Sequence, residues 1–117
     1  MGRRNTDATL RLQAGKLRHL ATIESPVRSQ TESGDVVKSF STVASAYISI
    51  RPLTGRELWN AQQMQADMSH EIVMRYTPGV TSDMTVVYDG RRYEIAEPPE
   101  NVDERNSVLR LLCIKRG

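Results

Sequence analysis

The fold class is decided by the stretch MTVVYDGRRYEIAE, Met84 to Glu97. Two runs rich in β-branched and aromatic residues flank Asp89-Gly90, a dipeptide that favours the two-residue type I′ hairpin turn. Both central positions of that turn need positive φ, which aspartate and glycine tolerate better than most residues. The stretch therefore predicts two antiparallel strands, Met84 to Tyr88 and Arg91 to Glu97.

Further strands are predicted on both sides of this hairpin. Arg18 to Val27 alternates apolar and polar residues, and Pro26 suggests an edge position. Turn chemistry in TESGD, Thr31 to Asp35, separates it from a long strand, Val36 to Ile50, with a break near Ser41. The other predicted strands are Ser69 to Tyr76 and Val108 to Ile114. About six short antiparallel strands favour a mainly β fold, a small β-barrel or sandwich.

The apolar positions of these strands predict the core. Its expected members are Ile23, Val36, Tyr47, Ile48, Ile72, Met74, Val86, Tyr93, Ile95, Leu109 and Leu111.

The periodicity changes after Pro52, which ends the second strand because it cannot donate a ladder hydrogen bond. Thr54 and Glu57 have the spacing of a capping box, and good helix formers continue to Ala66. The segment 53–68 is therefore predicted as a helical insertion with a narrow apolar stripe. Trp59 lies outside that stripe, so it either packs beneath the helix start or contacts a partner.

Length and composition limit the remaining possibilities. The 117 residues predict one domain, with residues 1–15 as a flexible arm and 16–117 as the folded part. The short apolar runs exclude a membrane-spanning helix, and no secretory signal is visible.

One cysteine and two separated histidines exclude an internal disulfide and give poor material for a metal site. Cys113 lies in an apolar strand and is expected to be a buried thiol. No nucleotide-binding or hydrolase motif is present, so neither a cofactor nor catalysis is expected.

Charge is distributed unevenly along the chain. Residues 1–19 carry five basic side chains against one acidic side chain, whereas Glu94 to Glu104 is acidic without a basic residue. These two segments are expected to be opposite faces of a head-to-tail contact between subunits, and the basic one could also contact phosphate. The candidate interface residues are Arg3, Arg4, Arg11, Arg18, Glu100, Asp103 and Glu104.

Three phrases, in order, resemble a known family. They are AGKLRHLATIESPV (Ala14 to Val27), IRPLTGRELWNAQQMQA (Ile50 to Ala66) and HEIVMRYTPGVTSDMTVVYDGRRYEIAEPPENVDERNSVLRLLCI (His70 to Ile114). Together the phrases resemble tailed-phage head–tail joining proteins, also called head closure, stopper or head–tail adaptor proteins.

The resemblance implies a structural virion protein of the phage neck, assembled in the host cytoplasm. Such proteins form rings, usually dodecameric, with a portal or adaptor above and a tail terminator or tail tube below. They help retain packaged DNA, contact it without sequence specificity and dock the tail. Two alternatives stay open from the residues: a small β-barrel adaptor that binds nucleic acid or protein, and a tail terminator or completion protein.

Ring geometry adds one constraint. A compact domain of this length has a radius of gyration of about 13 Å, so a ring of twelve leaves a hole roughly 60 Å wide. DNA contact then requires an element that reaches inward by about 20–30 Å. The arm and the insertion are the two candidates.

Within the insertion, Arg56 is expected to contact phosphate or an acidic partner, and Trp59 to anchor an apolar contact. The alternative is that the helix closes one end of the barrel, with Leu58 and Met64 pointing inward. The candidate contact residues are Leu53, Arg56, Leu58, Trp59, Gln62 and Gln63.

Overall fold

In the computed structural model, which describes residues 17–116, seven antiparallel strands and one α-helix form a mainly β fold. The elements are β1 (His19–Gln30), β2 (Val36–Pro52), α1 (Gly55–Met64), β3 (His70–Arg75), β4 (Thr85–Tyr88), β5 (Arg91–Ile95), β6 (Glu100–Asn101), a 3-10 helix (Val102–Glu104) and β7 (Val108–Lys115). The mainly β class and the helix after the second long strand are confirmed. The predicted arm, with Arg3, Arg4 and Arg11, lies outside the described residues.

The sheet closes on itself. Its strand order is β3-β2-β1-β4-β5-β7-β6, and β3 also pairs with β7, so six strands form a closed circuit. The seventh strand, β6, contributes two residues, Glu100 and Asn101, which pair with Arg110 and Leu109. This strand was not predicted, because two residues are too few to show an alternating pattern.

The hairpin at the centre of the sequence prediction is confirmed. Strands β4 and β5 pair in register from Thr85 with Glu94 to Tyr88 with Arg91. Between them Asp89 has φ 54° and Gly90 has φ 73°, as the type I′ turn requires.

Nine of the eleven predicted core residues are buried, and all nine belong to one apolar cluster. The predictions for Tyr47 and Val36 are wrong, since these side chains are 56% and 67% exposed. Tyr47 points outward because its neighbours Ala46 and Ile48 occupy the inward positions of β2. Val36 pairs with Gln30 at the far end of β1, beyond the reach of the core.

The first two strands extend well past the closed sheet. β1 pairs with β4 only over Thr22–Glu24, and β2 pairs with β3 only over Ile48–Pro52. Beyond these points Ser25–Gln30 and Val36–Ser41 pair with each other. We call this two-stranded part, with its turn, the hairpin ribbon. The ribbon accounts for the elongated shape, 61 × 27 × 25 Å, and for a radius of gyration of 15.6 Å rather than the expected 13 Å.

An irregularity marks the base of the ribbon. The register shifts between Ile23, which pairs with Ala44, and Glu24, which pairs with Thr42. Val43 is therefore the extra residue of a β-bulge, close to the break predicted near Ser41. Bulges increase local twist and bend a strand, which suits the point where the ribbon leaves the closed sheet.

Candidate functional site

Helix α1 begins after Thr54, the predicted N-cap residue, which has extended backbone angles. The capping box itself is absent, since the Thr54 side chain makes no cap hydrogen bond and the Glu57 carboxylate pairs with Arg51. A guanidinium gives two charge-assisted hydrogen bonds to a carboxylate, which are stronger than one bond from a neutral backbone N–H. Glu57 thus fastens the first turn of α1 to β2.

The inward side of α1 is small. Ala61 is buried against Leu53, Met68 and Ile114, and Leu58 is half-buried beside them. The predicted stripe is therefore correct at Leu58 and Ala61. The alternative that placed Met64 inward is wrong, because that side chain is 58% exposed.

Two glutamine side chains hold the C-terminal half of α1 on the sheet. The Gln62 amide Nε2 donates to the Met68 carbonyl at 3.3 Å, and the Gln65 Nε2 donates to the Ala96 carbonyl at 3.4 Å. Gln65 also ends the helix, since its backbone is extended. The helix is thus attached to the sheet along its length.

The outward side of α1 carries Arg56, Trp59 and Gln63, all exposed. Trp59 is 63% exposed, so the alternative in which it packs beneath the helix start is wrong. Gly55, Arg56 and Trp59 line an open cleft at the start of the helix. Of the six candidate contact residues, Leu53 and Leu58 therefore serve packing, whereas Arg56, Trp59 and Gln63 are available to a partner.

A buried carboxylate lies beneath the helix. Glu71 on β3 is 3% exposed, and both of its oxygens are bonded. Its Oε1 accepts from the Arg51 Nε at 3.0 Å, and its Oε2 accepts from the Arg110 Nε. The two Arg51 Nη atoms donate to the two Glu57 oxygens, each at 2.7 Å. The Arg110 Nη1 donates to Glu100 at 3.4 Å. We call these five residues the Glu71 network.

The network joins two segments that the sequence singled out separately. Glu57 belongs to α1, and Glu100 belongs to the acidic segment, yet both are linked to Glu71 through one arginine each. Hydrogen bonding to Glu57 raises the pKa of Arg51, and the same contact lowers the pKa of Glu57. Arg51 and Glu57 therefore stay charged at neutral pH. Glu71 was not predicted from the sequence, because its pairing with Arg51 depends on the β2–β3 register.

The acidic segment, Glu94 to Glu104, contains regular secondary structure. Glu100 lies in β6, and the 3-10 helix that follows contains Asp103 and Glu104, both exposed. Asp103 and Glu104 have φ of 56° and 54°, in the left-handed region. The Asn101 side chain stabilises this bend by donating to and accepting from Asn106. Arg18, at the start of the described chain, is exposed. The contact between basic and acidic segments of neighbouring subunits stays a prediction.

Metal-binding groups, membrane-spanning helices and the cysteine thiol were considered in turn for residues 17–116. Among residues 17–116 no group of three or more histidine, cysteine, aspartate or glutamate side chains is arranged to hold a metal ion. In the same residues no helix is long and apolar enough to cross a membrane. Cys113 is fully buried, as predicted, and burial raises the pKa of its thiol to about 12.

The family model of the phage head completion proteins matches residues 12–116. The chain belongs to this family. The head completion proteins are structural virion proteins and are not known as enzymes, so this chain is a structural component of a phage or phage-like particle. The predicted head–tail joining family is confirmed.

Two solved structures share the fold of this head completion protein. Protein SF1141 from Shigella flexneri 2a has a TM-score of 0.69 at 17% identity, covering 85% of this chain and 92% of that one. A chain of the virion of a native gene transfer agent particle has a TM-score of 0.58 at 13% identity, covering 86% and 96%. The comparison with curated protein sequences gives no match.

Proposed function

We propose that this head completion protein forms a ring in the neck, between a portal or adaptor protein and the tail. In that position it helps retain packaged DNA and provides the surface on which a tail terminator or tail tube protein docks. The observation that carries the proposal is the outward side of α1. Arg56, Trp59 and Gln63 are exposed on a helix that is fastened to the closed sheet.

The chemistry of this side suits contact with neck partners. Tryptophan and arginine are the residues that most often dominate protein interfaces. An arginine can bind either carboxylate or phosphate because its guanidinium presents donors in a fixed fork that matches both geometries. Gln63 adds hydrogen bonds without adding charge. These three side chains can thus serve an acidic surface of a neighbouring neck protein.

The inward reach toward DNA is proposed for the N-terminal segment rather than for the insertion. Helix α1 lies against the sheet, so the insertion does not extend 20–30 Å from the body. We therefore assign the reach to residues 1–15, which span up to about 50 Å when extended. Arg3, Arg4 and Arg11 in that segment supply the positive charge that nonspecific DNA contact needs.

Point substitutions on α1 test the proposal. Removing the whole helix would expose Met68 and leave Arg51 without Glu57, so it would confuse folding with function. The double variant Arg56→Ala/Trp59→Ala removes only exposed side chains and should keep the parent's stability within about 0.5 kcal/mol per site. Met64→Ala is the matched control, because it also removes an exposed apolar side chain from α1.

The expected result is seen in complemented particles. Heads made with the double variant should lose packaged DNA or fail to join tails, whereas the Met64→Ala particles should resemble the parent. Electron microscopy of tailed particles and a nuclease-protection assay of packaged DNA measure the two effects. Normal infectivity of the folded double variant would contradict the assignment of α1 as the partner contact.

A further inference from the structure

The closed sheet has one end at which six strands begin or end, opposite the hairpin ribbon. Antiparallel pairing places the start of β1 beside the end of β2, the start of β3 beside that same end, and the end of β4 beside the start of β5. Lys115, the last residue of β7, also lies beside the start of β5. The Tyr88 hydroxyl and the His19 Nδ1 are 2.8 Å apart, a hydrogen bond that joins β4 to β1. We call this end, which includes Arg18 and Arg91, the strand-end rim.

The strand-end rim carries exposed cations that are not neutralised. Among residues 17–116, Arg18, Arg91 and Lys115 are exposed and make no ion pair. Arg91 and Lys115 are diagonal neighbours across β5 and β7, about 7–8 Å apart, so their like charges repel. The turn between β4 and β5 adds one carboxylate, Asp89, so these four side chains carry a net charge of +2. Four other arginines each pair with a carboxylate: Arg51, Arg92, Arg110 and Arg116. An anion bound at the rim would relieve the repulsion there.

The basic N-terminal segment is joined to the domain at the same rim. Residues 1–16 contain four basic side chains against one acidic side chain, a net charge of +3. They precede Leu17, which stands two positions before the start of β1. Together the segment and the rim carry a net charge of +5, whereas the whole chain carries +2, so the rest of the molecule is net negative. Such a separation of charge attracts a polyanion to one end of the molecule.

The chemistry of the rim favours phosphate over a protein surface. Protein interfaces are dominated by large side chains with apolar surface. In residues 17–116 the exposed large apolar side chains belong to β1, β2 and α1, and none belongs to β3, β4, β5 or β7. The rim instead offers cations and polar groups such as the Tyr88 hydroxyl, which are the groups that contact phosphate oxygens of DNA. Duplex DNA presents one negative charge about every 1.7 Å of its length, so it can neutralise closely spaced cations without a specific register.

We propose that the strand-end rim binds the phosphate backbone of duplex DNA through Arg18, Arg91 and Lys115. The inference rests on the proposed function, in which the N-terminal segment contacts packaged DNA, and it names the surface of the folded domain that continues this contact. Phosphate contacts carry no sequence information. Binding should therefore be equal for duplexes of different sequence and should weaken steeply with salt.

Fluorescence anisotropy of the full chain with a labelled duplex of about 30 base pairs, at about 20–200 mM NaCl, measures this binding. The double variant Arg91→Gln/Lys115→Gln removes two rim charges. Arg28→Gln/Arg75→Gln is the matched control, because it also removes two exposed cations that make no ion pair within residues 17–116, one on the ribbon and one at the end of β3. Both variants lower the net charge by two, so a difference between them reports where the DNA binds.

Each lost phosphate contact lowers the slope of log K against log salt by about 0.9. The rim variant should therefore lose about 2 from the slope and bind about tenfold or more weakly at low salt, equally for two unrelated sequences. The control should keep the slope of the parent and an affinity within about twofold of it. Arg18→Gln/Arg91→Gln should match the rim variant, and it replaces that variant if Lys115→Gln lowers the Tm.

Three outcomes would overturn the inference. The first is an equal loss in the rim and control variants, since binding would then follow net charge alone. The second is a parent chain that does not bind either duplex at the lowest salt. The third is a rim variant that binds DNA like the parent; if that variant also fails to assemble in particles, the rim serves an acidic protein partner instead. The neck position itself is tested by the Arg56→Ala/Trp59→Ala particles, whose normal function would refute the proposed function without changing the binding measured here.

Discussion

Glu71→Gln is the substitution that tests the Glu71 network most directly. The change keeps the shape of the side chain but removes its charge, and the new amide group turns a donor toward an arginine N–H. Breaking a buried ion pair costs about 3–5 kcal/mol when the remaining charge is left without compensation. Here Arg51 and Arg110 are 40% and 25% exposed and keep Glu57 and Glu100, so they are partly compensated. We therefore expect a loss of about 2–4 kcal/mol of unfolding free energy.

Thermal and chemical unfolding measure this loss. For a domain of this size 1 kcal/mol corresponds to about 4 °C, so the Tm should fall by about 8–16 °C. Glu57→Gln is the matched control, since it removes the same charge from an exposed pair and should cost about 0–1 kcal/mol. Both variants change one carboxylate to an amide, so the comparison isolates the effect of burial.

Two results would refute the reasoning. A Glu71→Gln protein that melts within a degree or two of the parent would show that the buried carboxylate contributes nothing net. If the Tm of Glu57→Gln fell as far as the Tm of Glu71→Gln, the Arg51–Glu57 pair, and not the buried carboxylate, would be the contact that stabilises the network.

Three further predictions concern the core and its ionisable groups. Ile72→Ala should lower the unfolding free energy by about 2–5 kcal/mol, whereas Val36→Ala, at an exposed site, should change it by less than about 0.5 kcal/mol; equal effects in urea titrations would mean that the core is misplaced. Burial, and secondarily the charge of Lys115, lowers the pKa of His70 below its usual 6.5. As the pH falls below 6.5 the unfolded chain takes up that proton first, so stability should decrease there, and His70→Gln should flatten the decrease. The Cys113 thiol should resist a disulfide reagent at pH 8 until the chain is denatured; rapid reaction of the native protein would show that β7 opens readily.

Local chemistry predicted the parts of the fold that depend on neighbours in sequence. The Asp89-Gly90 turn and the position of Thr54 follow from backbone preferences, and both were found where the sequence placed them. Tyr47 was misassigned because adjacent residues of a strand face opposite sides, and the β1–β2–β3 pairing gives the inward position to Ile48. A one-residue shift exchanges the two faces of a strand, and no short-range signal fixes it.

The residues of the candidate site also divide into those that local sequence predicts and those that depend on long-range strand pairing. The exposure of Arg56 follows from the polarity of the helix, which leaves most of its surface outside any core. For Trp59 the sequence left two alternatives open, packing beneath the helix start or contact with a partner. Glu71 was missed because its partners come from β2 and β7, which are brought together only by long-range pairing. A carboxylate in an alternating strand also resembles any solvent-facing position until the opposite strand is known.

The position of β7 affects the order in which the chain can fold. This strand pairs with β3, β5 and β6, so it closes the sheet, and it is also the last strand in the sequence of residues 17–116. The β1–β2 and β4–β5 hairpins need only local pairing and can form while the chain is still emerging from the ribosome. Closure must wait for Val108–Lys115, since His70 pairs with Cys113 across more than forty residues. Such long-range pairing is slow to form. Removal of Val108–Lys115 would therefore leave a chain with two hairpins and open edges, a species prone to aggregation.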